Sequence, residues 1–319
     1  MILDRHSKSI AHKKFSNIVD YFQDGDVLVL NNSKVFPCRL VTQRASGGRQ
    51  EILLLERIQN ETREKDGCEV WRVMVNANRK VKYKDEFNFP GLKITVLDEN
   101  GATRLARLDF LGDLMSALEK IADMPLPPYI RRANEVLDRA RYQTVFAKSE
   151  GSVAAPTAGL HFTPILLENL KAKGVKIAEV TLHVGPGTFL PVRTDDITEH
   201  KMHEERFTIS EESCHIINAA KASGRKVTAV GTTSVRVLET LAKESTILKA
   251  QTGATDIFIH PPYAFRLVDQ LLTNFHQPES TLLILVSAFA NREFVLDAYK
   301  EAIREHYRLF SYGDAMLIL

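Results

Sequence analysis

The sequence predicts an α/β protein of two domains, one of them a small β-barrel-like insert. Three observations carry that reading. The chain opens with a helical pattern followed by a buried-strand run. From Trp71 to Leu108, short β runs alternate with Asn, Asp, Gly and Pro turns at the spacing of a small barrel or sandwich. From about residue 147 onward, strands and helices alternate. The main α/β domain is expected over 1–55 and 147–319, and the β-rich insert over 56–146. On pattern alone, a doubly wound parallel sheet competes for the main domain.

The elements follow in order. Phe15, Ile18, Val19 and Phe22 stand at helical spacing. Asp24-Gly25-Asp26 is a turn, Val27–Leu30 a buried strand, and Val35–Leu40 and Glu51–Glu56 extended runs. Within the insert, Trp71–Val75, Glu86–Phe89, Lys93–Leu97 and Thr103–Leu108 read as strands and Asp109–Ile121 as a helix. Three prolines in Met124–Arg132 impose a stiff extended segment, either a strap or a docking surface presenting Tyr129, Arg131 and Arg132. Thr163-Pro164 opens a helix as N-cap and first position. Val175–Val184 is a strand, Ser210–Ser223 an amphipathic helix, Lys226–Val230 a strand and Val235–Ala242 a helix. Thr255–His260 reads as a strand, Leu282–Ala290 and Glu293–Glu305 as helices, and the C-terminus is a buried apolar tail.

Composition bounds the function. With 319 residues, 44% hydrophobic and 26% charged, the chain is globular, and a net charge of +2 gives no global field for nucleic acid. Its 42 Lys and Arg still permit a local basic surface. Three cysteines without a CxxC pair argue against a zinc knuckle or disulfide framework and suit a cytoplasmic location. The longest apolar run, Leu282–Ala290, is about half the length a bilayer span needs, so no membrane partner is expected. His200 and His203 lack a third ligand at metal spacing, and no metal is expected.

Chemistry concentrates in five loops: Thr157–His161, His183–Arg193, Gly231–Arg236, Asn274–Ser280 and Ser311–Asp314. Each adjoins an apolar run and is rich in Gly, Thr, Ser or His, which predicts one shared cleft built from loop ends. Gly185-Pro186-Gly187 makes a sharp turn with no bulk at its corners, between His183 and Arg193. Gly231-Thr232-Thr233-Ser234, between strand and helix, is an anion-binding layout. The chain has no GxxxxGK[ST] and no GxSxG, and its GxG lacks the third glycine and the following helix, which disfavours P-loop, hydrolase and dinucleotide folds.

The segments AAPTAGLHFT, TLHVGPGTFLPVR, AVGTTSVRVLET, TNFHQPESTLLILVSAFA and YRLFSYGDAMLI resemble the S-adenosylmethionine:tRNA ribosyltransferase-isomerases of queuosine biosynthesis. NNSKVFPCRL, MPLPPYIRR and YQTVFAKSEGSVAAPTAGLHF fit the same family, and the match is collinear from about Asp4 to the C-terminus. Family members carry a further Pro- and Arg-containing segment ahead of the position matching Met1, so this chain is expected to start inside the first strand. Asn76-Ala77-Asn78 replaces a more usual Lys-Pro-Gly. The resemblance implies a β-barrel core flanked by helices. It also implies transfer and isomerisation of the ribosyl part of S-adenosylmethionine onto 7-aminomethyl-7-deazaguanine at the tRNA wobble position. S-adenosylmethionine is then a consumed substrate, no cofactor is needed, and a monomer is expected. A methyltransferase and a non-catalytic tRNA-binding protein are the rival readings.

Residue chemistry assigns roles within that framework. His161, His183 and His276 are candidates for proton handling, since imidazole titrates near neutrality. Glu279 is a candidate base or sulfonium partner. Arg193 and Arg236 are candidates for holding a carboxylate or phosphate. Thr157, Gly159, Gly185, Gly187, Thr232, Thr233 and Asn274 are expected to line the nucleoside pocket. Arg39, Arg131 and Arg132, with Tyr129 to stack, are expected to hold the tRNA.

Overall fold

The computed structural model of the protein describes residues 1–43, 47–58, 67–77, 81–98, 103–130, 132–185 and 196–319. In chain order its strands are β1 (Ile2–Asp4), β2 (Ser9–Ala11), β3 (Val27–Asn31), β4 (Ser33–Val35), β5 (Arg39–Gln43), β6 (Arg49–Arg57), β7 (Cys68–Ala77), β8 (Glu86–Phe89), β9 (Leu92–Val96), β10 (Arg104–Phe110), β11 (Ser149–Ser152), β12 (Lys176–Leu182), β13 (Glu205–Ile209), β14 (Val227–Val230), β15 (Gln251–Thr255), β16 (Gln270–Asn274) and β17 (Ala315–Ile318). The helices are α1 (Leu114–Ile121), α2 (Asp138–Arg141), α3 (Pro164–Ala172), α4 (Glu211–Ala222), α5 (Gly231–Ala242), α6 (Thr281–Ala290) and α7 (Arg292–Arg304), with short 3₁₀ turns at Phe15–Tyr21, Thr157–His161 and Ile197–Glu199.

The chain forms two compact units. Val35–Tyr142 and Gly151–Ala154 make one, and Met1–Lys34, Gln143–Glu150 and Ala155–Leu319 the other. The smaller unit thus begins at Val35, whereas sequence placed its start near residue 56. The reason is pairing: β5 zips onto β6 from Arg39↔Leu53 to Gln43↔Arg49, and β6 onto β7, so the hairpin belongs to the smaller sheet. That sheet has the order β5-β6-β7-β10-β9-β8. Its end strands β5 and β8 approach within 8 Å between Cα atoms, which leaves a nearly closed barrel. Alternating residues of its strands fill the interior, with Leu40, Ile52, Leu54, Val73, Ile94 and Leu108 fully buried. The helix expected over 109–121 is shorter: Asp109 and Phe110 still pair in β10, and α1 begins only after Asp113 caps it through the Ser116 N–H.

The larger unit holds a nine-stranded sheet, order β15-β13-β12-β3-β14-β16-β17-β1-β2. Its centre is parallel, with β12 and β14 on either side of β3 and β16 beside β14. All residues of β3, β14 and β16 are buried, as expected where helices cover a parallel sheet. Helices α3, α4 and α5 pack on this sheet, so the α/β class and the barrel-like sheet expected from the sequence are both present. The strand expected over 255–260 lies earlier, at Gln251–Thr255, where it runs antiparallel to β13 as an outer strand. No helix among the described residues is long and apolar enough to cross a membrane.

Candidate active site

The register of the parallel strands decides where the loops meet. Val180 of β12 stands beside Asn31 of β3, Ala229 of β14 beside Val29, and Val230 beside Leu272 of β16. The carboxyl ends of the four strands therefore deliver His183, Asn31, Gly231 and Asn274 along one edge of the sheet, the usual place for a ligand in such sheets. Antiparallel β17 pairs Ala315 with Asn274, which brings Asp314 to the same edge. Asn31 ties the edge together: its side chain accepts from the Leu182 N–H at 3.0 Å and donates to the Leu182 carbonyl at 3.1 Å.

The 3₁₀ turn Thr157–His161 lies against this edge. Thr157 Oγ1 donates to Asn274 Oδ1 at 3.1 Å, and Asn274 Nδ2 reaches His161 Nε2 at 3.2 Å and the Phe310 carbonyl at 3.3 Å. The His161 ring stacks on Phe15 with centroids 5.0 Å apart and planes 28° from parallel. Burial pushes His161 down to about 4, against the opposing pull of the Asp314 carboxylate. A cavity of about 80 Å³ opens beside it, lined among others by Lys14, Phe15, His161, Tyr307 and Asp314. Gly159 has a packing role: a Cβ there would fall 2.6 Å from Phe146 Cζ and 2.8 Å from Thr144 Cγ2.

At the β12 end, His183 is half-buried and its Nδ1 has no hydrogen-bond partner among the described residues. Burial lowers its pKa, and Arg206 adds to the effect. The Gly185 N–H donates to Glu205 Oε1 at 2.8 Å, and Glu205 Oε2 accepts from Arg236 Nη1. Arg236 is only 5% exposed, and its other nitrogens face the Ile257 and Thr255 carbonyls. The guanidinium expected to hold substrate is therefore spent inside the protein, where it steadies Glu205 and through it the Gly185 amide. Thr232 is buried in the first turn of α5, and the neighbouring Thr233 Oγ1 is buried without a partner among the described residues. Gly187 and Arg193 lie outside the described residues.

His276, two residues beyond β16, is turned inward. Its Nε2 is 2.7 Å from Thr273 Oγ1, and its N–H donates to Tyr299 Oη at 2.6 Å. Burial pushes it down to about 4. The geometry is that of a neutral histidine held by a buried hydroxyl, not a free proton carrier. Glu279 is exposed and adopts φ +58, a strained conformation for a non-glycine residue just ahead of the α6 cap Ser280.

The residues expected to bind tRNA sit in the smaller unit. Arg39 pairs with Glu51 at 2.8 Å, Arg132 grips Asp138 with two bonds of 2.7 Å, and Tyr129 is half-buried. Both guanidinium groups thus have carboxylate partners. Arg131 lies outside the described residues. Residues that sequence did not single out are Phe15, Tyr307, Phe310 and Asp314. The last two lie within or beside the Ser311–Asp314 loop, which the sequence did mark.

A profile of the queuosine biosynthesis protein family matches residues 1–318. The S-adenosylmethionine:tRNA ribosyltransferase-isomerase of Acetivibrio thermocellus is 50% identical over 323 residues, covering 100% of this chain and 92% of its own length. The enzyme of that name from Syntrophotalea carbinolica is 48% identical over 321 residues, with the same coverage. The crystal structure of the S-adenosylmethionine tRNA ribosyltransferase from Thermotoga maritima is similar with a TM-score of 0.53 and 38% identity, covering 100% of this chain and 91% of that one. With a family match across essentially its whole length, the chain belongs to the queuosine biosynthesis protein family.

Proposed function

We propose that this protein is an S-adenosylmethionine:tRNA ribosyltransferase-isomerase. It moves the ribosyl part of S-adenosylmethionine onto 7-aminomethyl-7-deazaguanine at the tRNA wobble position, giving epoxyqueuosine and releasing adenine and methionine. The observation that carries this is the 50% identity over the full chain to an enzyme of that name. The gathering of Thr157, His161, His183, Gly231 and Asn274 on one carboxyl edge supports it.

The reaction sets three demands. The sulfonium acidifies the adjacent C5′ hydrogens, so a base there starts the rearrangement. Adenine needs a proton or hydrogen bond as it leaves, and anionic intermediates need donors. His183, with an unpartnered Nδ1 and a lowered pKa, is neutral near pH 7 and is a candidate base. Glu279 is an exposed carboxylate for the same task or for facing the sulfonium. The unpartnered Thr233 hydroxyl and the N–H groups opening α5, which has no side-chain cap, are donors for an anionic or polar group. No cofactor is required, since S-adenosylmethionine is consumed. Lys13 and Lys14, exposed beside the His161 cavity, are placed to meet RNA phosphates.

Incubation with S-adenosylmethionine and precursor tRNA tests the reading. Free adenine with methionine is the expected outcome. S-adenosylhomocysteine would replace it with a methyltransferase, and tRNA binding without either product would leave a binding protein.

A further inference from the structure

We propose that Asn274 is a positioning residue that holds His161 in the tautomer protonated at Nδ1, so that His161 offers bound substrate a hydrogen-bond donor and not a base. This rests on the reading that His161 faces the substrate. The bonding pattern leaves one solution. The Phe310 carbonyl can only accept, so the Asn274 atom 3.3 Å from it is the NH₂ group. The amide oxygen is then the atom that takes the Thr157 hydroxyl at 3.1 Å. The second hydrogen of the NH₂ points to His161 Nε2 at 3.2 Å, and Nε2 must present a lone pair. The proton of a neutral ring therefore resides on Nδ1, the nitrogen without a hydrogen-bond partner among the described residues. Phe15 stacked at 5.0 Å stops the ring from turning away.

Asn274 is 2% exposed and saturated by protein groups, so it serves the site through His161 instead of by touching ligand. The charges facing the ring agree with a neutral imidazole. Asp314 favours its protonation, while burial, Arg308 and the Met1 amine oppose it, with burial the largest influence and the ring pushed down to about 4. Lys13 and Lys14 line the same cavity and add positive charge. A neutral Nδ1–H suits an acceptor such as a ring nitrogen of departing adenine or an oxygen that gains negative charge. Proton abstraction at C5′ then belongs to another group.

The test uses the full chain with selectively ¹⁵N-labelled histidine. Long-range ¹H–¹⁵N spectra at pH 7 are expected to show His161, assigned by its loss in His161→Ala, with a protonated Nδ1 and a bare Nε2. The opposite tautomer overturns the proposal. Asn274→Asp keeps the shape but sets an acceptor against Nε2, so Nε2 takes a proton: the ring is charged at low pH and, once it loses one proton, is neutral with a bare Nδ1 that offers no donor. Above a new ionisation between pH 5 and 8, where the neutral ring has lost its Nδ1 donor, adenine release is expected to fall on the order of 10²-fold in kcat and to recover below it, with KM for tRNA within about twofold. Wild-type kcat and an unchanged profile in a folded Asn274→Asp overturn it. If that variant does not fold, the wild-type spectrum alone decides. Undiminished adenine release by His161→Ala would instead remove His161 from the site, a failure of the underlying reading that the spectrum does not share.

Discussion

Arg236 and Glu205 form an ion pair at 5% and 6% side-chain exposure, and the cost of breaking it is set by the charge left behind. Arg236→Met is expected to lower stability by about 3–5 kcal/mol, because the Glu205 carboxylate would remain buried with the Gly185 N–H as its remaining donor among the described residues. Removing both charges, as Arg236→Met with Glu205→Leu, is expected to recover much of that loss. Urea unfolding of the single and double variants checks both; a single variant within 1 kcal/mol of the parent would show that the pair is solvated. Arg236 was visible in the sequence as chemistry-bearing, but its direction was not, because its partner lies 31 positions away. Glu239 was less visible still. In sequence it is one more polar position of an amphipathic helix, yet it is fully buried and accepts the N–H groups of Arg266, Leu267 and Val268.

Among elements, local signals were read best. Thr163 accepts from the Leu166 N–H with Pro164 at the first helical position, as its sequence indicates, and Ser210 and Ser280 cap α4 and α6 in the same way. Outer strand β15 lies earlier than the apolar pattern predicts, because Gln251–Thr255 is polar and is held by its pairing along β13. The turn Thr157–His161 gives an element-scale prediction. Gly159→Ala forces a methyl into Phe146 and Thr144, so the turn must shift or the core must yield. A stability loss of about 1–3 kcal/mol is expected, together with slower adenine release, since His161 lies two residues on. Thermal melting and turnover measured on one preparation check this; wild-type values of both would show that the turn adapts freely.

For the whole molecule, half-buried histidines couple folding to pH. His161 and His276 are each pushed down to about 4 by burial, while in the unfolded chain each takes up a proton near pH 6.5. Between those values the unfolded state binds more protons, so stability is full above about pH 6.5 and declines as pH falls toward 4, by about 1.4 kcal/mol per pH unit for each histidine. Urea midpoints at pH 7.5, 6 and 5 are expected to fall in that order, and His276→Gln to flatten the trend. Midpoints that stay level would mean that neither ring is buried neutral.

The family, the α/β class with its barrel-like insert and the Thr163 cap of α3 are legible from the residues alone. These rest on local chemistry and on long collinear motifs, both of which are written in consecutive residues. Where the smaller unit begins, and which polar groups remain available, emerge from the fold. Asn274 meets His161 across 113 positions, and Leu182 meets Asn31 across 151. A hydrogen-bonding side chain is open to a ligand only when the fold leaves it unpaired, and that is fixed by partners distant in the chain.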